Sequence, residues 1–196
     1  MTNKKSMVTI LGFSQASVTA DFIGMMTQAG IDVNVQAPED FFAGNFDRHS
    51  EYIISVTRDL ELRKQLSVVL DQENLNRATF VHHTCWIDPT AQIGPGTFIS
   101  PFCTVASNST VGKDCLLAPY CLIGHVSKIG DGCLFNPAVT IAGSCTIENH
   151  CKFNLRSSVI DKIFICTGSE IGAGSMVTKS IEQPGKYVGT PARKVV

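Results

Sequence analysis

From Ile87 to Val177 every sixth residue is a large apolar one, at sixteen successive positions with no insertion. A helix repeats every 3.6 residues and an alternating strand every two, so a period of six fits neither. It is the signature of a β-helix, in which a short strand forms one side of a prism, a bend follows, and the next hexad forms the next side. The large residue points inward. The residue four places further on is small at thirteen of these hexads, from Ala91 to Ser175, with Val139 and Ile163 as exceptions. A small side chain there suits a crowded corner. Each large side chain contributes roughly 1.5–3 kcal/mol on burial before conformational entropy is counted.

Residues 1 to about 80 follow another rule, that of alternating strands and helices. Met7–Phe13 reads as a buried strand, and 17–28 as a helix with Phe22, Ile23 and Met26 on one face and Gly30 as its stop. Ile31–Val35 reads as a second strand halted by Pro38, 52–56 as a third, 59–70 as a second helix, and Ala78–Val81 as a fourth strand. This order predicts a small parallel α/β unit that holds ligands at the C-terminal ends of its strands. Lys4 and Lys5 ahead of the apolar run resemble a short secretion signal, a pattern that a first strand explains equally well. A net charge of −1 argues against binding nucleic acid by phosphate neutralisation, and no apolar run approaches a membrane span.

Eight cysteines stand in this chain of 196 residues. Their number is compatible with disulfides, a metal site or buried thiols. No CxxC pair occurs, and seven of the eight, Cys85 to Cys151, occupy the small-residue register; only Cys166 does not. That placement favours reduced thiols used as small hydrophobes, and with them a cytoplasmic protein. Zinc is not expected, because the intervals from His82 or His83 to His125 and His150 do not match a three-histidine site.

The α/β start, the unbroken hexads, Leu122-Ile123-Gly124-His125, Phe135-Asn136-Pro137 through Gly143, Ile171 through Lys179 and the ending Gly189-Thr190-Pro191-Ala192 together resemble one family. It comprises bacterial sugar acyltransferases, including the bacillosamine-pathway nucleotide-sugar N-acetyltransferase and the NeuD-type sialic acid O-acetyltransferase. The resemblance covers nearly the whole chain. It implies an α/β plus all-β fold: a Rossmann-like domain (1–81), a left-handed parallel β-helix of about five coils (82–182), and a C-terminal tail (183–196) near a CoA site. With three sides per coil, residues 18 apart stack, giving cysteine ladders 85–103–121 and 115–133–151.

The resemblance implies acetyl transfer from acetyl-CoA to the amino group of a nucleotide-linked sugar. Transfer to a hydroxyl of sialic acid or a related sugar is the alternative, and a non-catalytic trimeric scaffold a further one. Homotrimers are implied, with sites between neighbouring prisms, and neither nucleic-acid binding nor membrane insertion. His125 matches the catalytic histidine, and an imidazole can take the proton that an attacking amine loses. Gly143 lies 18 residues later, where a glycine admits a thioester and its N–H can meet an oxyanion. Leu155 and Ala173 match positions along the pantetheine arm. Lys179 and Arg193, in a basic C-terminal stretch with Lys186 and Lys194, suit the phosphates of CoA. Gly12, Phe13 and Ser14 after the first strand, Gln36 after the second and Thr57 after the third are the substrate-binding candidates.

Three departures qualify the match. Val126 stands where the family has an acid after the histidine, leaving Asp131 or Asp161 as substitutes; Leu134 replaces a cofactor-contacting histidine; and the loop after the first strand keeps one glycine, with Gln36-Ala37 in place of acids.

Overall fold

The computed structural model describes residues 7–195. The chain divides into two compact units, Met1–Phe80 and Val81–Val196. Lys4 and Lys5 lie outside the described residues.

The first unit is a three-stranded parallel sheet with helices between its strands. β1 (Val8–Leu11) lies between β2 (Val33–Gln36) and β3 (Glu51–Ile54), with α1 (Ser17–Gln28), α2 (Pro38–Phe42) and α3 (Leu60–Gln72) as connections. β1 is buried at all four residues, as expected of a central parallel strand. The core gathers Leu11, Phe41, Tyr52, Ile54, Leu66 and Leu70. Pro38 does not simply end the second strand. It begins α2, where its fixed φ and missing N–H suit the first helical turn. Asp59 caps α3 by accepting the Leu62 N–H at 2.9 Å.

The expected fourth strand of this unit is corrected. β4 (Phe80–Val81) pairs instead with Phe98–Ile99, as the first rung of the solenoid, while Arg77 makes the isolated bridge to Tyr52.

The second unit is a three-faced parallel β-solenoid. β5 to β20 are two-residue strands recurring every six residues from Trp86–Ile87 to Met176–Val177. Each pairs in parallel with the strand 18 residues away, as Leu116-Leu117 does with Leu134-Phe135. β21 (Lys186–Val188) extends one face, and β22 (Arg193–Val195) folds back antiparallel on it. The parallel strands number seven, six and five on the three faces. That makes six turns, not five, because β4 and β21 add rungs beyond the hexad array. The aliphatic column forms the core, with Phe135 stacked on Phe153 at 4.9 Å.

The corners follow one rule. Three places after each large residue the chain takes a left-handed φ. Ten non-glycine residues from Phe102 to Lys162 do so, with φ of 54–65°. This conformation costs an L-residue about 1 kcal/mol. An N–H bond to the coil below offsets it, as from Val126 to Ser107 O at 2.8 Å.

The small slot has a second requirement that size does not convey. Its side chain donates to the carbonyl 15 residues ahead: Thr97 to Gly112 O at 2.8 Å, Ser127 to Ala142 O at 2.9 Å, Cys133 to Glu148 O at 3.1 Å. Cys103, Cys115, Cys121, Cys145 and Cys151 do the same. Ser, Thr and Cys share the slot because each is small and carries a donor. Val139 has none, and there the Ser157 N–H takes the Asn154 carbonyl instead.

All eight cysteines are free thiols, six of them buried. The hydrogen-bonded thiol of Cys121 and burial hold Cys103 up at about 12. Its bond with Cys103, and burial, push Cys85 higher still. Such thiols are poor nucleophiles. No helix among the described residues is long and apolar enough to cross a membrane.

Two outcomes are expected. In a native thiol titration only the half-buried Cys85 and Cys166 are open to reagent, and all eight react after denaturation. Thermal unfolding should rank Cys133→Ser above Cys133→Ala, the alanine costing about 1 kcal/mol through the lost donor.

Candidate active site

The corner after β11 (Leu122–Ile123) projects His125, two residues past the inward Ile123, into solvent. The pairing of Ile123 with Ile141 places Gly143 next to it in the following coil. The imidazole lies across the glycine. A Cβ built on Gly143 would stand 2.5 Å from both Cε1 and Nε2 of His125. Only a residue without a side chain leaves this approach open.

The same position two past the core residue has a backbone peculiarity. Its N–H takes no part in the rung-to-rung ladder, whose donors flank the core residue or sit at the left-handed corner. Five such positions are proline: Pro89, Pro95, Pro101, Pro119 and Pro137. Proline costs nothing there, since no ladder donor is lost. At Lys113 and Asp131 a side chain from the next coil accepts the N–H, Asp131 Oδ1 and Asn149 Oδ1 respectively. At His125, Gly143, Leu155 and Ala173 the N–H is bonded to no group among the described residues. Gly143 therefore offers an open donor directly beside an imidazole.

This arrangement also separates the two acids considered as partners of His125. Asp131 sits on the next corner of the prism, and its carboxylate is engaged by the Lys113 N–H at 2.9 Å. Asp161 lies in the same column as His125 and Gly143 through the pairing of Ile141 with Val159. Neither forms a hydrogen bond or ion pair with the imidazole, which has no side-chain partner among the described residues.

Leu155 and Ala173 lie together in a groove of about 380 Å³ with Asn136, Asn154, Glu170 and Lys186. Asn154 bridges the polar side, accepting from Asn136 at 3.2 Å and donating to Glu170 Oε1 at 2.9 Å, with Lys186 3.7 Å from that oxygen. Leu134 is buried. Lys179 is exposed, and Arg193, on β22, is exposed with Nη1 donating to the Ala192 carbonyl at 3.0 Å.

The first unit carries a cleft of its own, about 470 Å³, at the C-terminal ends of β1 and β3. Phe13 and Thr57 line it as expected. So do Arg58 and Asp59, which sequence reading had used only as helix-start residues, and the first turn of α1. That helix has no side-chain N-cap, so its first N–H groups face the cleft. Gly12 packs on the bonded pair Thr19–Ser55, and a Cβ there would collide with the Ser55 hydroxyl. Ser14 is exposed and outside the cleft lining. Gln36 is also outside it, its amide donating to the Asn45 carbonyl at 2.7 Å. No group of three His, Cys, Asp or Glu side chains among the described residues is arranged to hold a metal ion.

Residues 90–125 match the family model described as bacterial transferase hexapeptide (six repeats). No curated protein matches the chain in sequence. Among solved structures, a variant of perosamine N-acetyltransferase from Caulobacter crescentus, in complex with CoA and GDP-perosamine, superposes with a TM-score of 0.85. It is 17% identical and covers 96% of each chain. WeeI from Acinetobacter baumannii AYE gives 0.82 at 22% identity, covering 97% of this chain and all of that one. The acetyltransferase domain of PglB from Neisseria gonorrhoeae FA1090, with acetyl coenzyme A, gives 0.65 at 13% identity and 97% coverage of this chain. At these identities the likeness establishes the fold, that of the hexapeptide transferases.

Gly143→Ala should displace the imidazole while leaving the solenoid intact. A crystal structure of the variant would show His125 in a new rotamer with the coil register unchanged; an unmoved ring would refute the contact.

Proposed function

We propose that this chain is an acyltransferase that moves the acetyl group of acetyl-CoA to the amino group of a nucleotide-linked sugar. The observation that carries this reading is the open N–H of Gly143 beneath the His125 imidazole. Acyl transfer needs both elements within one site: a base for the attacking nitrogen and a donor for the oxygen that becomes negative. The fold it shares with sugar N-acetyltransferases, some of them holding CoA and GDP-perosamine, supports the same reading.

The step balances as follows. A neutral amine attacks the thioester carbonyl, forming the C–N bond, and the carbonyl oxygen takes the negative charge facing the Gly143 N–H. His125 accepts a proton from the nitrogen. The C–S bond breaks as the oxyanion collapses, and the proton passes from His125 to the leaving thiolate. The products are the amide and CoA thiol.

In this reading the pantetheine arm follows the groove at Leu155 and Ala173, whose open N–H groups suit amide carbonyls. Lys179 and Arg193, in the tail region 183–196 and just before it, meet the CoA phosphates. The Rossmann-like first unit (1–81) holds the nucleotide in the cleft at Phe13, Thr57 and Arg58, with Gly12 shaping its floor. The solenoid (82–182) is wound left-handed, and the active species is a cytoplasmic homotrimer. Exposed Trp86, Leu122 and Met176 along one face support self-association, and the free thiols support a reducing compartment.

His125→Ala should lower kcat at least 100-fold with little change in melting temperature, read by release of CoA thiol over a panel of amino and hydroxyl sugars. Full turnover in the variant would remove His125 from the chemistry. A preference for hydroxyl acceptors would turn the reading to O-acetylation, and absence of acetyl-CoA binding in calorimetry would turn it to a scaffold. Lys179→Ala and Arg193→Ala should each raise KM for acetyl-CoA, leaving kcat nearly unchanged.

A further inference from the structure

The corner that bears His125 forms a continuous column: Ser107, His125, Gly143, Asp161 and Lys179 follow one another in successive coils. Turn hydrogen bonds tie the rungs together, from Ser144 N to His125 O at 2.8 Å and from Lys162 N to Gly143 O at 3.0 Å. Parallel rungs stand about 4.8 Å apart, so Asp161 lies about 10 Å from His125, with Gly143 midway. The imidazole leans onto Gly143 and fills the lower half of that interval. The upper half has a glycine floor and an exposed carboxylate as its far wall. Among the described residues Asp161 forms no hydrogen bond or ion pair through its side chain, with His125, Lys162 or Lys179 included.

We propose that Asp161 receives the acceptor's amino group and makes the site selective for amines over hydroxyls. The proposal rests on the acyltransferase reading above and goes further, giving a role to a residue that does not touch the imidazole. A primary amine arrives largely as ammonium at neutral pH, whereas a hydroxyl is neutral. A carboxylate across the glycine floor from the base attracts the first and not the second. The same carboxylate faces the nitrogen when it becomes positive in the tetrahedral adduct, before His125 removes its proton. The ammonium first loses one proton through His125 to solvent, which frees the lone pair for attack. The second proton then follows the path to the thiolate given above. Asp161 accepts hydrogen bonds throughout and gains no proton. It therefore acts on binding and on the charge of the nitrogen, not as a second base.

The charged groups facing the nitrogen are His125 below, Asp161 opposite, and Lys162 and Lys179 beyond Asp161 on the same corner. A carboxylate beside a bound amine raises the amine's pKa, so its removal lowers that pKa. In Asp161→Asn the rise of kcat with pH should therefore move to lower pH, and KM for the amine should rise about tenfold or more. Asp161→Glu should recover part of the KM. The dissociation constant for acetyl-CoA should stay at the wild-type value.

The experiment measures kcat and KM from pH 5.5 to 9.5 for wild type, Asp161→Asn and Asp161→Glu, with GDP-perosamine and with UDP-linked 4-amino-4,6-dideoxy sugars as probes. The hydroxyl analogue of each probe serves as control. The proposal stands if the asparagine variant loses affinity for amines alone and its pH limb shifts. It falls if an active enzyme keeps its KM and pH limb in Asp161→Asn, or loses amine and hydroxyl acceptors equally. A wild-type chain that binds acetyl-CoA but acetylates none of these amines overturns the acyltransferase reading itself, and this proposal with it.

Discussion

The rest of the structure depends on the parallel hydrogen-bond ladder that joins each two-residue strand to the one 18 residues away. Two residues are too few for a strand to hold itself, so the ladder alone keeps each side of the prism straight. Because every rung repeats the same backbone path, whatever one coil does at a corner the next must do directly above it. The left-handed φ at ten non-glycine residues is the plainest result. Each would be unfavourable in isolation, and each is retained because the N–H it turns inward meets a carbonyl one coil below.

The ladder also decides which polar groups are left over. One carbonyl per corner falls outside it and is met by the small-slot side chain, so this slot selects Ser, Thr and Cys. One N–H per corner also falls outside it. The chain deals with that N–H in three ways: proline deletes it, an Asp or Asn from the next coil accepts it, or it stays open. The open cases include His125, Gly143, Leu155 and Ala173, which are also where the cofactor and base are proposed to act. Structure and proposed chemistry thus draw on one feature of the turn, and the prolines mark the corners where no ligand contact of this kind can form.

Much of this was legible because a period of six over sixteen positions has no competing fold. Spacing by 18 likewise put Gly143 beside His125 before any geometry was known. What was missed has local causes. The sixth turn was hidden because Phe80–Val81 and Lys186–Val188 are rungs outside the hexad rule. Pro38 was read as a stop, although the same residue opens a helix when acidic residues follow, as Glu39 and Asp40 do. Gln36 was placed in the nucleotide site on its position after the second strand, while its amide is held by Asn45, nine residues on. Asp131 and Asp161 were left as equals, although Asp131 is one hexad from His125 and Asp161 is six. Six hexads return to the same corner, and one does not. The donor role of the cysteines had no signal in composition, since size and apolarity alone explain a thiol in a tight space.

The unbroken count from Ile87 to Val177 has a consequence for how such a protein can change. In most enzymes, loops can lengthen or shorten and catalytic groups drift apart or together by small steps. Here a single-residue insertion between His125 and Gly143 would turn every side chain above it onto the wrong face. The smallest tolerated change of length is a whole coil. The separation of base and oxyanion donor is thus a lattice spacing, inherited and not adjustable. Descendants of this chain can alter their chemistry only by changing which side chain stands at each lattice point.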